Sequence, residues 1–97
     1  MRHFHRTHIP PAAVLRLADE FFPSLAVAQV SAEPRRRVYR GALGAVALSV
    51  RPEGGHYTLI EVDTDQMGES RLDRNVKRFF VGVHRVADPT HKLTAAF

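Results

Sequence analysis

The segment from residue 70 to residue 87 constrains the fold most, because its apolar residues recur at the spacing of an α-helix. Ser70 suits the N-terminal cap, and Asp73 stands three residues later, where a capping box usually has Glu or Gln. The predicted helix is about 27 Å long. Its apolar stripe consists of Leu72, Val76, Phe79, Phe80, Val83 and Val86. The stripe has to be buried, so we expect Phe79 or Phe80 among the most buried residues.

The first 22 residues predict a short strand followed by a second helix. Residues 2–9 alternate in the manner of a strand, and two prolines end it. Pro11 suits the first turn of a helix, where its missing N–H is not needed. Residues 12–22 then have helical periodicity, and Pro23 ends the helix because proline disfavours helical backbone in the residue before it. The apolar side of this helix consists of Val14, Ala18, Phe21 and Leu25, flanked by Leu17 and Phe22.

Three later stretches predict strands, at residues 25–32, 36–50 and 56–64. The second is too long for one flat strand, so we expect Gly41 and Gly44 to mark a bend or bulge in it. Beyond the bend, one face carries Val46, Leu48 and Val50. In the last stretch, Thr58, Ile60 and Val62 lie opposite Tyr57, Leu59, Glu61 and Asp63.

These elements predict an α+β fold in the order β-α-β-β-β(-β)-α, where the bracketed strand depends on the bend. Two helices with apolar stripes can both be buried on one face of an antiparallel sheet of four or five strands, with the long C-terminal helix across it. The chain forms a single domain, 1–97, in which Pro89 closes the last helix and the tail, 90–97, is expected to be loose. The unpaired edges of such a sheet predict a homodimer or a place in a larger assembly.

Composition excludes several kinds of protein. The sequence has no cysteine, which removes disulfides, thiolate nucleophiles and zinc ribbons, and fits a reducing interior. The most apolar run, 41–50, is too short for a membrane span, which needs about 20 residues. The N-terminus does not resemble a signal peptide, so we expect a cytoplasmic protein. The net charge is +4, but no RNA-binding signature accompanies the cluster at 35–37, which makes nucleic acid an unfavoured partner.

The opening stretch RHFHRTH has three histidines in six residues, which raises the question of a metal site. In a strand, His3 and His5 point to one face, whereas His8 points to the other with Phe4 and Arg6. Three zinc ligands therefore do not converge, and no carboxylate lies nearby in sequence. We interpret the stretch as a half-buried edge strand with solvent-exposed imidazoles, and predict no metal site.

A calcium site and an enzymatic site are also disfavoured. The run from Asp63 to Glu69 matches the start of an EF-hand loop, but Arg74 stands where a bidentate Glu is required. The serines at 24, 31, 49 and 70 have no nucleophile-elbow context. Glu61, Asp63, His56 and Tyr57 could transfer protons only if they were enclosed in a cavity. The sequence therefore predicts no catalytic residue and no cofactor.

Two stretches of the sequence resemble the START/Bet-v-like helix-grip superfamily (SRPBCC). HIPPAAVLRLADEFFPSL resembles the strand and proline-bearing helix with which those proteins open, and HYTLIEVDTDQMGESRLDRNVKRFFVGVHR resembles their last strand and long C-terminal helix. Members of that superfamily usually have six or seven strands in a chain about half as long again. The family's enclosed cavity is therefore either absent here or completed by a second chain.

The resemblance implies non-catalytic binding of a small apolar ligand, similar to a lipid or polyketide, between the sheet and the C-terminal helix. The ligand-binding residues that it implies are Tyr39, Leu48, Tyr57, Leu59, Phe79 and Val83. A pocket above about 300 Å³ between the helix and the sheet would favour this function.

Two alternatives remain. An accessory or assembly subunit would combine an exposed apolar patch with a filled interior. A basic RNA- or ribosome-binding protein would use the charged face of the last helix, as the similar element order of small ribosome-hibernation proteins suggests. That face consists of Arg71, Arg74, Lys77 and Arg78.

Overall fold

Five strands form one antiparallel sheet, and two helices cover one of its faces. The structure is a computed structural model and describes residues 1–88, so the predicted tail and the stop at Pro89 lie outside the described residues. The elements are β1 (Arg2–Thr7), α1 (Pro11–Phe21) with a 3₁₀ turn (Phe22–Leu25), β2 (Val27–Glu33), β3 (Arg36–Gly41), β4 (Gly44–Glu53), β5 (Tyr57–Thr64) and α2 (Arg71–Ala87). The predicted α+β class, with a long C-terminal helix on an antiparallel sheet, is confirmed.

The strand order is β1-β5-β4-β3-β2, so the N-terminal strand pairs with the last strand and forms one edge. β2 forms the other edge. This arrangement brings the first strand and the last helix of the described chain side by side, because β1 and α2 both lie beside β5. No helix within residues 1–88 is long and apolar enough to cross a membrane.

The bend predicted at Gly41 and Gly44 is a full reversal of the chain. The two glycines lie opposite each other in the β3–β4 ladder, with a two-residue loop between them. Gly44 has a φ of +123°, a backbone conformation that would be strained in a residue with a side chain. The alternating pattern continued smoothly through both strands, so it did not distinguish a bulge from a tight hairpin.

The core lies between the helices and the face of the sheet that we call the inner face. β4 and β5 contribute their alternate apolar residues to it, as predicted: Val46, Leu48, Val50, Ile60 and Val62. From α2, Phe79 is 2% exposed and Phe80 is 9% exposed, which confirms the expected burial, whereas Val86 in the last turn is 52% exposed. On α1, Leu15 is buried although it lay outside the predicted stripe.

Candidate ligand-binding cleft

The six residues that the resemblance implied for ligand binding lie on both faces of the sheet. The inner group is fully buried among core side chains: Tyr39, Leu48, Phe79 and Val83. Tyr57 and Leu59 instead lie on the opposite face, which we call the open face, because they alternate along β5 with Thr58 and Ile60. Tyr57 is 55% exposed there, whereas Leu59 is only 3% exposed. The structure therefore does not bring the six side chains together around one space. Their role in ligand binding stays a prediction.

Aromatic packing fills the space around the inner group. The rings of Phe22 and Tyr39 stack with centroids 5.0 Å apart, and Phe22 lies 5.2 Å from Phe79. These distances are typical of close aromatic contact. Tyr39, which is fully buried, also donates a 2.7 Å hydrogen bond from its hydroxyl to Asp19. Burial, and then this hydrogen bond, raise the pKa of Tyr39 well above its ordinary value. The four residues of the inner group are therefore part of the packed core.

An open cleft of about 690 Å³ lies beside this core, where α2 faces the loops at one end of the sheet. One wall is the first half of α2. The other walls are the end of the 3₁₀ turn and the tip of the β3–β4 hairpin. The lining residues are Ser24, Leu25, Ala26, Ala42, Leu43, Arg71, Arg74, Asn75 and Arg78.

Local backbone geometry shapes the apolar side of the cleft. The 3₁₀ turn ends at Ala26, whose φ of 61° and ψ of 31° are left-handed values that residues other than glycine rarely adopt. The Ala26 carbonyl approaches Gly41 so closely that a Cβ on Gly41 would lie 2.1 Å from its oxygen. Leu25 and Leu43 flank this contact and pack partly against the core. Both leucines therefore keep an apolar surface toward the cleft.

The α2 side of the cleft is cationic. Arg71 and Arg74 are exposed, and within the described residues neither forms an ion pair with a carboxylate. Lys77, on a different side of the helix, pairs with Glu69 at 3.4 Å. The cleft thus joins an apolar floor to two guanidinium groups that have no carboxylate partner among residues 1–88.

A second polar cluster lies at the N-terminus of α2, around the buried carboxylate of Asp73. Asp73 accepts hydrogen bonds from Nε2 of His3 and the hydroxyl of Thr64, both at 2.7 Å, and from the hydroxyl of Ser70 at 2.6 Å. The Ser70 hydroxyl in turn accepts from the Asp73 amide, as the capping box predicts. Burial opposes ionisation of Asp73, but the hydrogen bonds from His3, Ser70 and Thr64 and the charge of His3 outweigh it, so its pKa is lowered.

This cluster is not arranged for nucleophilic catalysis. A serine nucleophile needs an adjacent base that is itself oriented by a third group. Here the carboxylate lies between Ser70 and His3, so the imidazole does not contact the hydroxyl. The cluster instead fastens β1 to the start of α2.

The interpretation of the opening histidines as solvent-exposed imidazoles is wrong for His3 and His5. His3 pairs with Val62 and His5 with Ile60 in the β1–β5 ladder, so both side chains face the helices. His5 stacks on Phe80 with ring centroids 5.0 Å apart, and burial, followed by the charge of His84, lowers its pKa. The assignment of His3 and His5 to one face was right, but the sequence did not reveal that helices cover this face. His8, which was assigned to the other face, follows the end of β1, and its Nε2 contacts the carbonyl of Ala87 in α2.

The other candidates for chemistry lie on the open face or in turns. His56 and Tyr57 are exposed, while Asp63 pairs with Arg2 at 2.8 Å. Glu61 faces Arg51 at 3.6 Å. Among residues 1–88, no three histidine, aspartate or glutamate side chains form a group that could hold a metal ion.

No protein-family model, curated protein or solved structure matches the chain. Membership of the helix-grip superfamily therefore stays a prediction. Sequence reasoning singled out the arginines of the cleft as a basic helix face, but it missed the leucines and Ala26. Pro23 signalled the end of the first helix there. No sequence signal placed this helix end against the β3–β4 hairpin.

Proposed function

We propose that the protein binds a small ligand with an apolar portion, without catalysis, in the cleft between α2, the 3₁₀ turn and the β3–β4 hairpin. The observation that carries this proposal is the cleft itself: about 690 Å³ of open space with Leu25 and Leu43 on its floor. Ligand pockets typically enclose about 300–1,000 Å³ and combine apolar walls with a few polar groups. The proposal keeps the function implied by the helix-grip resemblance and moves its site from the packed core to this cleft.

The lining residues favour binding over catalysis. Among those described, none carries a carboxylate or an imidazole, the groups that most often transfer protons in active sites. The Ser24 hydroxyl donates a 2.6 Å hydrogen bond to the Phe21 carbonyl, and no base activates it in this arrangement. The side chains that remain, arginine, asparagine, leucine and alanine, are suited to holding a ligand.

The experiment is a ¹⁵N–¹H NMR titration of the full chain with decanol and, separately, with decanoate. We expect at least one of these probes to shift the amide signals of Leu25, Ala26 and Leu43. Leu43→Asn should weaken that binding several-fold, whereas the exposed Val86→Asn should leave it unchanged. If neither probe moves the cleft signals, the proposed function is wrong.

We also propose an assembly role, in which two copies associate through the open face of the sheet. Phe4 and Tyr57 on this face are each 55% exposed. The outward residues of the central strand β4 are small, at Ala45, Ala47 and Ser49. Three ion pairs across this face, Arg2–Asp63, Arg6–Glu53 and Arg51–Glu61, reduce the charge that two associating copies would bring together.

Light scattering after size-exclusion chromatography tests the assembly role. We expect a dimer in the micromolar to millimolar range and a shift toward monomer in Phe4→Glu. Met67→Glu is the matched control, because Met67 is 97% exposed but lies in a loop away from this face. A wild-type protein that is monomeric throughout this range would contradict the proposal.

We also propose a cytoplasmic location for the protein, which the absence of cysteine supports.

A further inference from the structure

We infer that the ligand of the cleft is an amphipathic anion, with a carboxylate or phosphate group at one end of an apolar chain. The inference rests on the proposed function and specifies its ligand. Arg71 and Arg74 hold the anionic group, and the apolar chain lies on Leu25 and Leu43.

The position of the arginines in α2 is unfavourable unless an anion is present. Arg71 is the first residue of α2 and Arg74 follows one turn later. The start of a helix carries partial positive charge, so acidic residues are favoured there and basic residues are not. Asp73 is the acidic residue of this first turn, but its carboxylate is buried and bonded to His3, Thr64 and Ser70. It therefore does not offset the arginines on the outer side, and such local conflicts tend to mark functional positions.

The spacing of the two arginines suits a single anionic group. Side chains three residues apart on a helix have Cβ atoms about 5–6 Å from each other, so both guanidinium groups can reach one ligand head. Guanidinium binds carboxylate and phosphate through paired, charge-assisted hydrogen bonds. Arg71 and Arg74 have no competing ion pair within the described residues.

The opposite wall explains why the anion should carry an apolar chain. Ala26 holds a left-handed backbone conformation against Gly41, and strained conformations persist where the surrounding structure enforces them, often at ligand sites. This wall places Leu25 and Leu43 across from the arginines. A bare inorganic anion would leave these leucines unused, and a neutral apolar molecule would leave the arginines unpaired.

The lining of the cleft argues against a nucleic acid at this site. Proteins that bind single-stranded nucleic acid combine positive charge with aromatic side chains on which bases stack. No aromatic residue is among the described residues that line the cleft. The basic helix face therefore fits a small anionic molecule better than an RNA chain.

Calorimetric titrations of the full chain with decanoate, decyl phosphate and decanol test the inference. We expect both anions to bind at least about tenfold more tightly than decanol, as charge-assisted hydrogen bonds would add to the same apolar contact. Arg71→Gln/Arg74→Gln should remove this difference and leave decanol binding unchanged. Arg16→Gln/Arg85→Gln, which removes two exposed arginines outside the cleft, should behave as wild type.

The outcomes separate the inference from the proposed function. If decanol binds the wild-type protein as tightly as decanoate does, the inference that the ligand is an anion is wrong, while the proposed function stands. No binding of any of the three compounds would overturn both. If phosphate or acetate alone binds as tightly as the ten-carbon anions, the cleft is a site for simple anions and the apolar chain is not part of the ligand. If a short single-stranded RNA binds more tightly than these anions, the inferred class of ligand is wrong. Urea melts check that the glutamine variants remain folded.

Discussion

Asp73 shows how one side chain can serve local and long-range structure together. As the third residue after the Ser70 cap, its amide and carboxylate complete the start of α2. The same carboxylate accepts hydrogen bonds from His3 in β1 and Thr64 at the end of β5. It thus joins three elements at a point with no exposure to solvent.

We predict that Asp73→Asn destabilises the protein by about 2–3 kcal/mol, because an amide cannot accept all three hydrogen bonds and leaves buried donors unpaired. Urea denaturation at neutral pH measures this loss. Glu20→Gln, an exposed change on α1, is the control and should alter the free energy of unfolding by under about 0.5 kcal/mol. Equal effects of the two changes would show that the cluster around Asp73 does not stabilise the fold.

At the scale of elements, the contact between the 3₁₀ turn and the β3–β4 hairpin forms one side of the cleft. Gly41 lies opposite Val27 in the β2–β3 ladder, and the preceding residue Ala26 turns the chain into β2. The hairpin can approach this turn only because Gly41 has no side chain. The geometry of the cleft therefore depends on a glycine that is outside its lining.

We predict that Gly41→Ala costs roughly 1–3 kcal/mol, the range for forcing an extra methyl group into a packed contact. The new methyl group would clash with backbone atoms of Ala26 and Val27, so no flexible side chain can move aside to make room for it. Binding of decanoate in the cleft should weaken in the same variant. Gly82→Ala is the control: nothing lies within 4 Å of the new Cβ, and alanine in this exposed helical position should stabilise by about 0.5–1 kcal/mol. Thermal and urea melts compare the two, and a neutral Gly41→Ala would contradict the packing described.

At the scale of the whole molecule, periodicity predicted elements and their buried faces better than it predicted contacts. The stripe of α2 and the alternation of β4 and β5 follow from local spacing, so Phe79, Leu48 and Ile60 were placed correctly in the core. The bond between His3 and Asp73 joins residues 70 positions apart, and no local pattern encodes it. The cleft likewise brings together three segments that are distant in sequence, namely α2, the 3₁₀ turn and the β3–β4 hairpin, so no local pattern encodes it. The positive charge of the cleft could be predicted from the sequence of α2, whereas its apolar floor could be identified only from the structure.

Also at the scale of the whole molecule, three histidines of the N-terminal segment contact α2. His3 contacts Asp73, His5 stacks on Phe80, and Nε2 of His8 donates a 3.0 Å hydrogen bond to the carbonyl of Ala87. The three contacted residues of α2 are seven positions apart, which is about two turns each. The N-terminal segment, residues 3–8, thus follows the helix from its first turn to its last.

We predict that the protein loses stability as the pH falls below about 6.5, through His5. Burial and the charge of His84 lower the pKa of His5 in the folded state, whereas the unfolded chain has the ordinary value near 6.5. Between these two values the unfolded state binds more protons, so the free energy of unfolding decreases as the pH falls, by at most about 1.4 kcal/mol per pH unit for one proton. Urea melts from pH 7.5 to 5 should show this slope. His5→Phe, which keeps a ring against Phe80, should reduce it.

The matched control for this pH series is His56→Phe, because His56 is exposed in the turn before β5 and its loss should leave the slope of the wild-type protein. The lowered pKa of Asp73 acts in a separate window. Its stabilising effect is complete above its ordinary value of 3.8 and declines as the pH falls below that value, so it does not contribute to the slope above pH 5. A slope in His5→Phe as steep as in the wild-type protein would mean that the half-buried His5 is not the group that makes stability depend on pH in this range.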